Sequence, residues 1–116
     1  MSKADLHVKL AGGQQMVGGF SLQPANLGTL TTSTFNPLVG NYQYGTNNGA
    51  VTLTAPTVDC AIDVLITNGA SAGTLTFSGF TVGFAGDNFT TTNGHKFILS
   101  IRRINGTSTY IVKALQ

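Results

Sequence analysis

The chain has 116 residues, a length that suits one domain, with 15 glycines, no glutamate and no tryptophan. Charged residues make up only 9% of it and the net charge is +2, so there is no basic footprint for a nucleic acid. A single cysteine excludes an intrachain disulfide, and no apolar run reaches the ~20 residues of a membrane span.

Thr, Asn, Ser and Gly fill the polar positions. They bond locally or cost backbone entropy in a helix, and they suit short β-branched strands joined by tight turns. The expected fold class is all-β: a small antiparallel β-sandwich or jelly-roll-like domain with an extended N-terminal arm. No helix longer than a single turn is expected. The amino-terminal stretch "MSKADLHVKL" lacks the apolar core of a secretory signal, so synthesis in a cytoplasm is expected.

Residues 1–46 read as N-terminal strands and an arm packing on the body or on a neighbour. "HVKL" and "QQMVGGF" are short strand candidates. From Ser21 to Gly49 the chain is punctuated by Pro, Thr and Gly without a sustained period of 2 or 3.6. Such a stretch is long for a loop, so it is either an arm or strands without a readable register. Its apolar side chains argue against a solvated linker. Phe20, Leu22, Leu27, Leu30, Phe35, Tyr42 and Tyr44 are the candidate interface residues.

Residues 47–116 read as the sandwich body. "GAVTLTAP" is a short strand with Val51 and Leu53 inward, ended by Pro56. "VDCAIDVLITNG" places Cys60, Ile62, Val64 and Ile66 on one apolar face, with Ala61, Asp63, Leu65 and Thr67 on a mixed one. The small-residue loop from Asn68 to Gly73 and the following "TLTFSGF" suggest a hairpin with that strand. Asn93-Gly94 suggests a second hairpin, joining a strand over Asp87–Thr92 to one starting at His95, with Phe89 facing Ile98.

The last hairpin is the most specific. Asn105-Gly106 supplies the two positive φ angles of a type I′ turn. Phe97 then faces Ala114, Leu99 faces Val112 and Ile101 faces Tyr110, all on one apolar face. Ile98 with Lys113, Ser100 with Ile111, and Arg102 with Thr109 make the mixed face. A slip of one residue destroys the match.

Candidate chemistry is sparse. Cys60 falls on an apolar face, where a free thiol is normally inert packing. Asp59 and Asp63, four apart on a presumed strand, read as solvated acids. His7 and His95 have no third ligand at metal-site spacing. Lys96, Arg102 and Lys113 make at most a weakly basic sheet face. "AGGQQMVGG" and "GFAGDNF" lack the strand–loop–helix setting of a phosphate loop. Phe77 and Phe89 read as core, Phe80 and Phe84 as partly exposed. No catalytic, cofactor or metal residue is assigned.

"NNGAVTLTAP", "ITNGASAGTLTFSGFTV" and "GDNFTTTNGHKFILSIRRINGTSTYIVKALQ" together resemble a short β-domain of virion structural proteins of tailed bacteriophages. The resemblance covers Asn47 to Gln116 and implies no catalytic residues. It implies a non-enzymatic role in the virion: a capsid decoration or cement protein that binds and stabilises the assembled head. Its partners would be the major capsid protein lattice and copies of itself, as a homo-oligomer on the particle, with no nucleic acid, membrane or cofactor. The alternative is a tail-fibre, spike or head-fibre module binding the host surface or its glycans through loops around Tyr42, Tyr44, Phe80 and Phe84.

Overall fold

The computed structural model describes residues 17–81 and 85–116. His7, Phe84 and the "HVKL" strand lie outside them, as do Gln14, Gln15 and Met16 of "QQMVGGF", whose described residues 17–20 form no strand. Among the described residues the secondary structure is all β, with no helix. Nine strands form: β1 (Ala25–Thr29), β2 (Ser33–Thr34), β3 (Tyr42–Asn47), β4 (Val51–Thr54), β5 (Cys60–Asn68), β6 (Leu75–Ser78), β7 (Ala85–Gly86), β8 (Lys96–Ile104) and β9 (Thr107–Ala114).

They make two sheets. One has six strands in the order β1-β3-β5-β8-β9-β7; the other has three, β2-β4-β6. The first seven strands alternate strictly between them. The chain therefore winds, and strands that enter one sheet on successive turns run the same way. β1–β3, β3–β5, β2–β4, β4–β6 and β7–β9 are parallel. Only β5–β8 and β8–β9 are antiparallel. The expected antiparallel architecture is thus corrected for most pairings. A parallel pair needs a long crossover, and here the crossover is a strand of the opposite sheet.

The hairpin expected between β5 and β6 does not form. β5 pairs with β3 and β8, while β6 pairs with β4. The intervening loop stacks on the equivalent loop of the previous turn. Gly69 N donates to Asn47 O (2.9 Å) and Val51 N to Thr74 O (3.2 Å). Two buried amides lock the stack. Asn47 Nδ2 donates to Asn68 Oδ1 (3.3 Å) and Gly73 O (2.9 Å), and its Oδ1 accepts from Gly73 N (3.2 Å). At Gly73 a Cβ would overlap the backbone of Gly49 and Ala50, so the approach requires glycine.

The hairpin expected at Asn93-Gly94 is also absent. β8 is central, as its pattern implies, but its second neighbour is β5, with Ile62 opposite Ile101 and Val64 opposite Leu99. That edge is filled, so residues 87–92 form no strand. Asn68 Nδ2 holds them by Thr90 O (2.7 Å) and Thr92 O (3.1 Å). Phe89 faces Phe97 (centroids 5.0 Å apart) rather than Ile98.

The β8–β9 hairpin has the expected register throughout, from Phe97↔Ala114 to Arg102↔Thr109. Asn105 (φ 48°) and Gly106 (φ 79°) supply the turn. Leu99, Ile101 and Val112 join Ile62, Val64, Ile66 and Leu53 in one buried cluster that takes side chains from both sheets. Phe77 stacks on Tyr110 at 4.3 Å, and Phe80 meets Tyr110 edge-on at 4.8 Å.

Residues 25–47 are not an appendage. β1 and β3 belong to the large sheet and β2 to the small one, so the boundary expected at 46/47 falls inside β3. Leu30 and Phe35 belong to the same buried cluster, with Leu30 N bonded to Thr46 O (2.8 Å) and Phe35 N to Thr54 O (3.0 Å).

Candidate functional site

The interface candidates separate into three groups. Leu30 and Phe35 are buried, with Leu27 packed against the same cluster, so these three serve the chain's own core. Phe20 (67% exposed) and Leu22 (45% exposed) lie on residues 17–24, outside any strand, together with the fully exposed Val17. Tyr42 and Tyr44 lie on β3 and point outward, because the intervening Gln43 is buried and strand side chains alternate.

The outward positions of the large sheet align across strands. One row runs Asn26, Tyr44, Leu65, Ile98, Lys113, and the next Tyr42, Asp63, Ser100, Ile111. Tyr42, Tyr44, Asp63, Leu65, Ile98 and Ser100, with Pro24 at one end, line a groove of about 360 Å³. Its floor is aliphatic, its wall aromatic, and its one charge is the Asp63 carboxylate. The mixed faces read from the sequence for β5, β8 and β9 are this surface. What sequence reasoning missed is that β3 lies beside β5, which brings the tyrosines to Asp63.

Most of the other polar groups singled out from the sequence have structural partners, whereas Arg102 and Lys113 are exposed on the outward face of β8 and β9 and make no side-chain hydrogen bond among the described residues. Asp59 precedes β5 rather than lying on it. Its carboxylate accepts from Asn105 N (2.8 Å), Gly106 N (3.2 Å) and Arg103 Nη1 (2.9 Å), tying the type I′ turn to the start of β5. The backbone N–H of Gly106, then that of Asn105, hold its pKa below the ordinary 3.8, with Arg103 adding to the effect. Cys60 sits beside Arg103 at the half-buried end of β5. Burial raises its pKa more than Arg103 lowers it, which keeps the group a thiol. His95 Nδ1 pairs with Thr90 Oγ1 (2.8 Å). Asp87 accepts from Ala114 N (2.8 Å) and Lys96 Nζ donates to Thr67 Oγ1 (3.0 Å). Among the described residues no three His, Cys, Asp or Glu side chains gather at metal-binding distance.

A second concavity, about 430 Å³, opens beside Pro37, Leu38 and Val58. Leu38 is 92% exposed there. No family model matches the chain, and neither a curated protein nor a solved structure matches it.

Proposed function

We propose that the chain is a non-enzymatic structural protein of a tailed-bacteriophage virion, a capsid decoration protein that binds the assembled head. Its partners are then the major capsid protein lattice and neighbouring copies of itself. On this reading the two sheets stack as a β-sandwich body, and the residues before β1 are the attachment segment.

The observation that supports it is the exposure of Phe20 and Leu22 on residues 17–24, where no strand or core holds them. Large apolar side chains exposed close together in the chain favour cover by another protein. A protein that binds only the assembled shell stabilises that shell by mass action. With so few charges, such attachment depends little on salt.

Imaging of the intact particle tests the proposal. Many copies in a regular array on the head are expected; a few copies confined to the tail would overturn it. In solution, Phe20→Asp with Leu22→Asp should abolish binding to empty heads without lowering the melting temperature. Unchanged binding would remove these side chains from the attachment surface.

A further inference from the structure

We propose that the outer face of the six-stranded sheet binds a neutral glycan, with Tyr42 and Tyr44 as the stacking platform and Asp63 as the hydroxyl acceptor. This involves different side chains from Phe20 and Leu22, so it stands or falls separately from the virion reading.

The platform follows from strand geometry. Tyr42 and Tyr44 are successive outward residues of β3, so their Cα atoms lie about 6.6 Å apart along the strand. They are 44% and 38% exposed and form the aromatic wall of a largely apolar groove. Two outward tyrosines one pleat apart on a sheet offer aromatic surface to the C–H face of a pyranose, and their phenol oxygens make no hydrogen bond among the described residues.

The polar groups agree. Among the described acids, Asp59 and Asp87 accept hydrogen bonds from backbone N–H groups. Asp63 accepts none, and Ser100 directly opposite it on β8 makes no side-chain hydrogen bond. A carboxylate and a hydroxyl therefore stand together without protein partners in an aromatic groove. A carboxylate can accept from two adjacent sugar hydroxyls.

Charge selects the class. The one charge lining the groove is negative, so a phosphate or carboxylate seated against Asp63 is repelled, while Arg102 and Lys113 lie on the same outward face beyond Ser100 and Ile98. An apolar protein surface seated here would bury Asp63 unpaired, which is costly. A peptide adding as a strand needs a sheet edge, but the groove crosses β3, β5 and β8, each already paired on both sides. Its volume of about 360 Å³ lies within the ~300–1,000 Å³ of small-ligand sites.

The test uses the full chain, isotopically labelled. It is titrated with maltotriose, mannotriose, chitotriose and lactose, with sialyllactose and trigalacturonate as acidic counterparts, and followed by amide and side-chain chemical shifts. At least one neutral sugar should give saturable shifts centred on Tyr42, Tyr44, Asp63 and Ser100, with a Kd on the order of a millimolar. Tyr44→Ala should weaken that binding about tenfold or more. Asp63→Lys should turn the preference toward the acidic sugars. The melting temperature of each variant reports whether the fold is kept. No saturable shift from any neutral sugar overturns the proposal, as does undiminished binding by a folded Tyr42→Ala, Tyr44→Ala double variant. Tetramethylammonium binding more tightly than every sugar would make the groove a cation site instead. Self-association lost in Tyr44→Ala would assign the face to a second copy of the chain.

Discussion

The β8–β9 hairpin and the winding strands β1–β6 reach the same core by different physics. In the hairpin, residues that pair are close in sequence, and a two-residue turn fixes which meet. In the winding region, each strand pairs with one a full turn away: Gln43 with Val64, Leu53 with Phe77. There the register is set by what stacks at the corners, above all Asn47 on Asn68 and Gly73 on Ala50. The lesson is that a periodic apolar face identifies a strand, whereas only the corner chemistry identifies its neighbour.

The largest expected effect bears on where the two regions meet. Leu99 is fully buried on β8, between β5 and β9. Leu99→Ala should cost about 2–5 kcal/mol in denaturant unfolding, toward the upper end because strands on both sides prevent collapse of the cavity. Leu53→Ala, in the short three-stranded sheet, should fall toward the lower end. The reverse order would mean that the winding region, not the hairpin, carries the stability.

Next come the corners. Gly73→Ala inserts a methyl into the backbone of Gly49 and Ala50 and should cost about 1–3 kcal/mol. Asn68→Ala leaves Thr90 O and Thr92 O without their donor and should also cost about 1–3 kcal/mol. Both should speed amide exchange in β4 and β6 more than in β9. Equal loosening everywhere would show that the two regions do not differ in local stability.

These contrasts explain what the sequence made legible. The apolar faces of β5, β8 and β9 and the turn at Asn105-Gly106 are local patterns, and they hold residue by residue. The parallel pairing was hidden because Asn68–Gly73 has the composition of a hairpin loop. Nothing in its own residues says that it crosses to the other sheet. The same gap hid the groove: Tyr42, Tyr44 and Asp63 can each be read as outward, but their meeting depends on β3 lying against β5. Leu30 and Phe35 looked like interface because their segment has no period. They are core because the chain crosses between sheets there, a crossing too short to show one.

Asp59 offers the smallest and most specific probe, since it joins the legible turn to the winding strand β5. It is solvent-exposed, so its effect is modest and screened by salt. The Gly106 and Asn105 amides lower its folded pKa below 3.8. The folded state therefore binds its proton less readily than the unfolded state. The stabilisation is complete above the unfolded pKa and disappears as the pH falls through the folded value. Asp59→Asn keeps one acceptor oxygen but loses the charge. The melting-temperature gap between the native protein and this variant should be steady from about pH 5 to 7 and close below 3.8. A gap that widened in acid would mean that Asp59 carries its proton more tightly when folded. The carboxylate would then not be what ties the hairpin turn to β5.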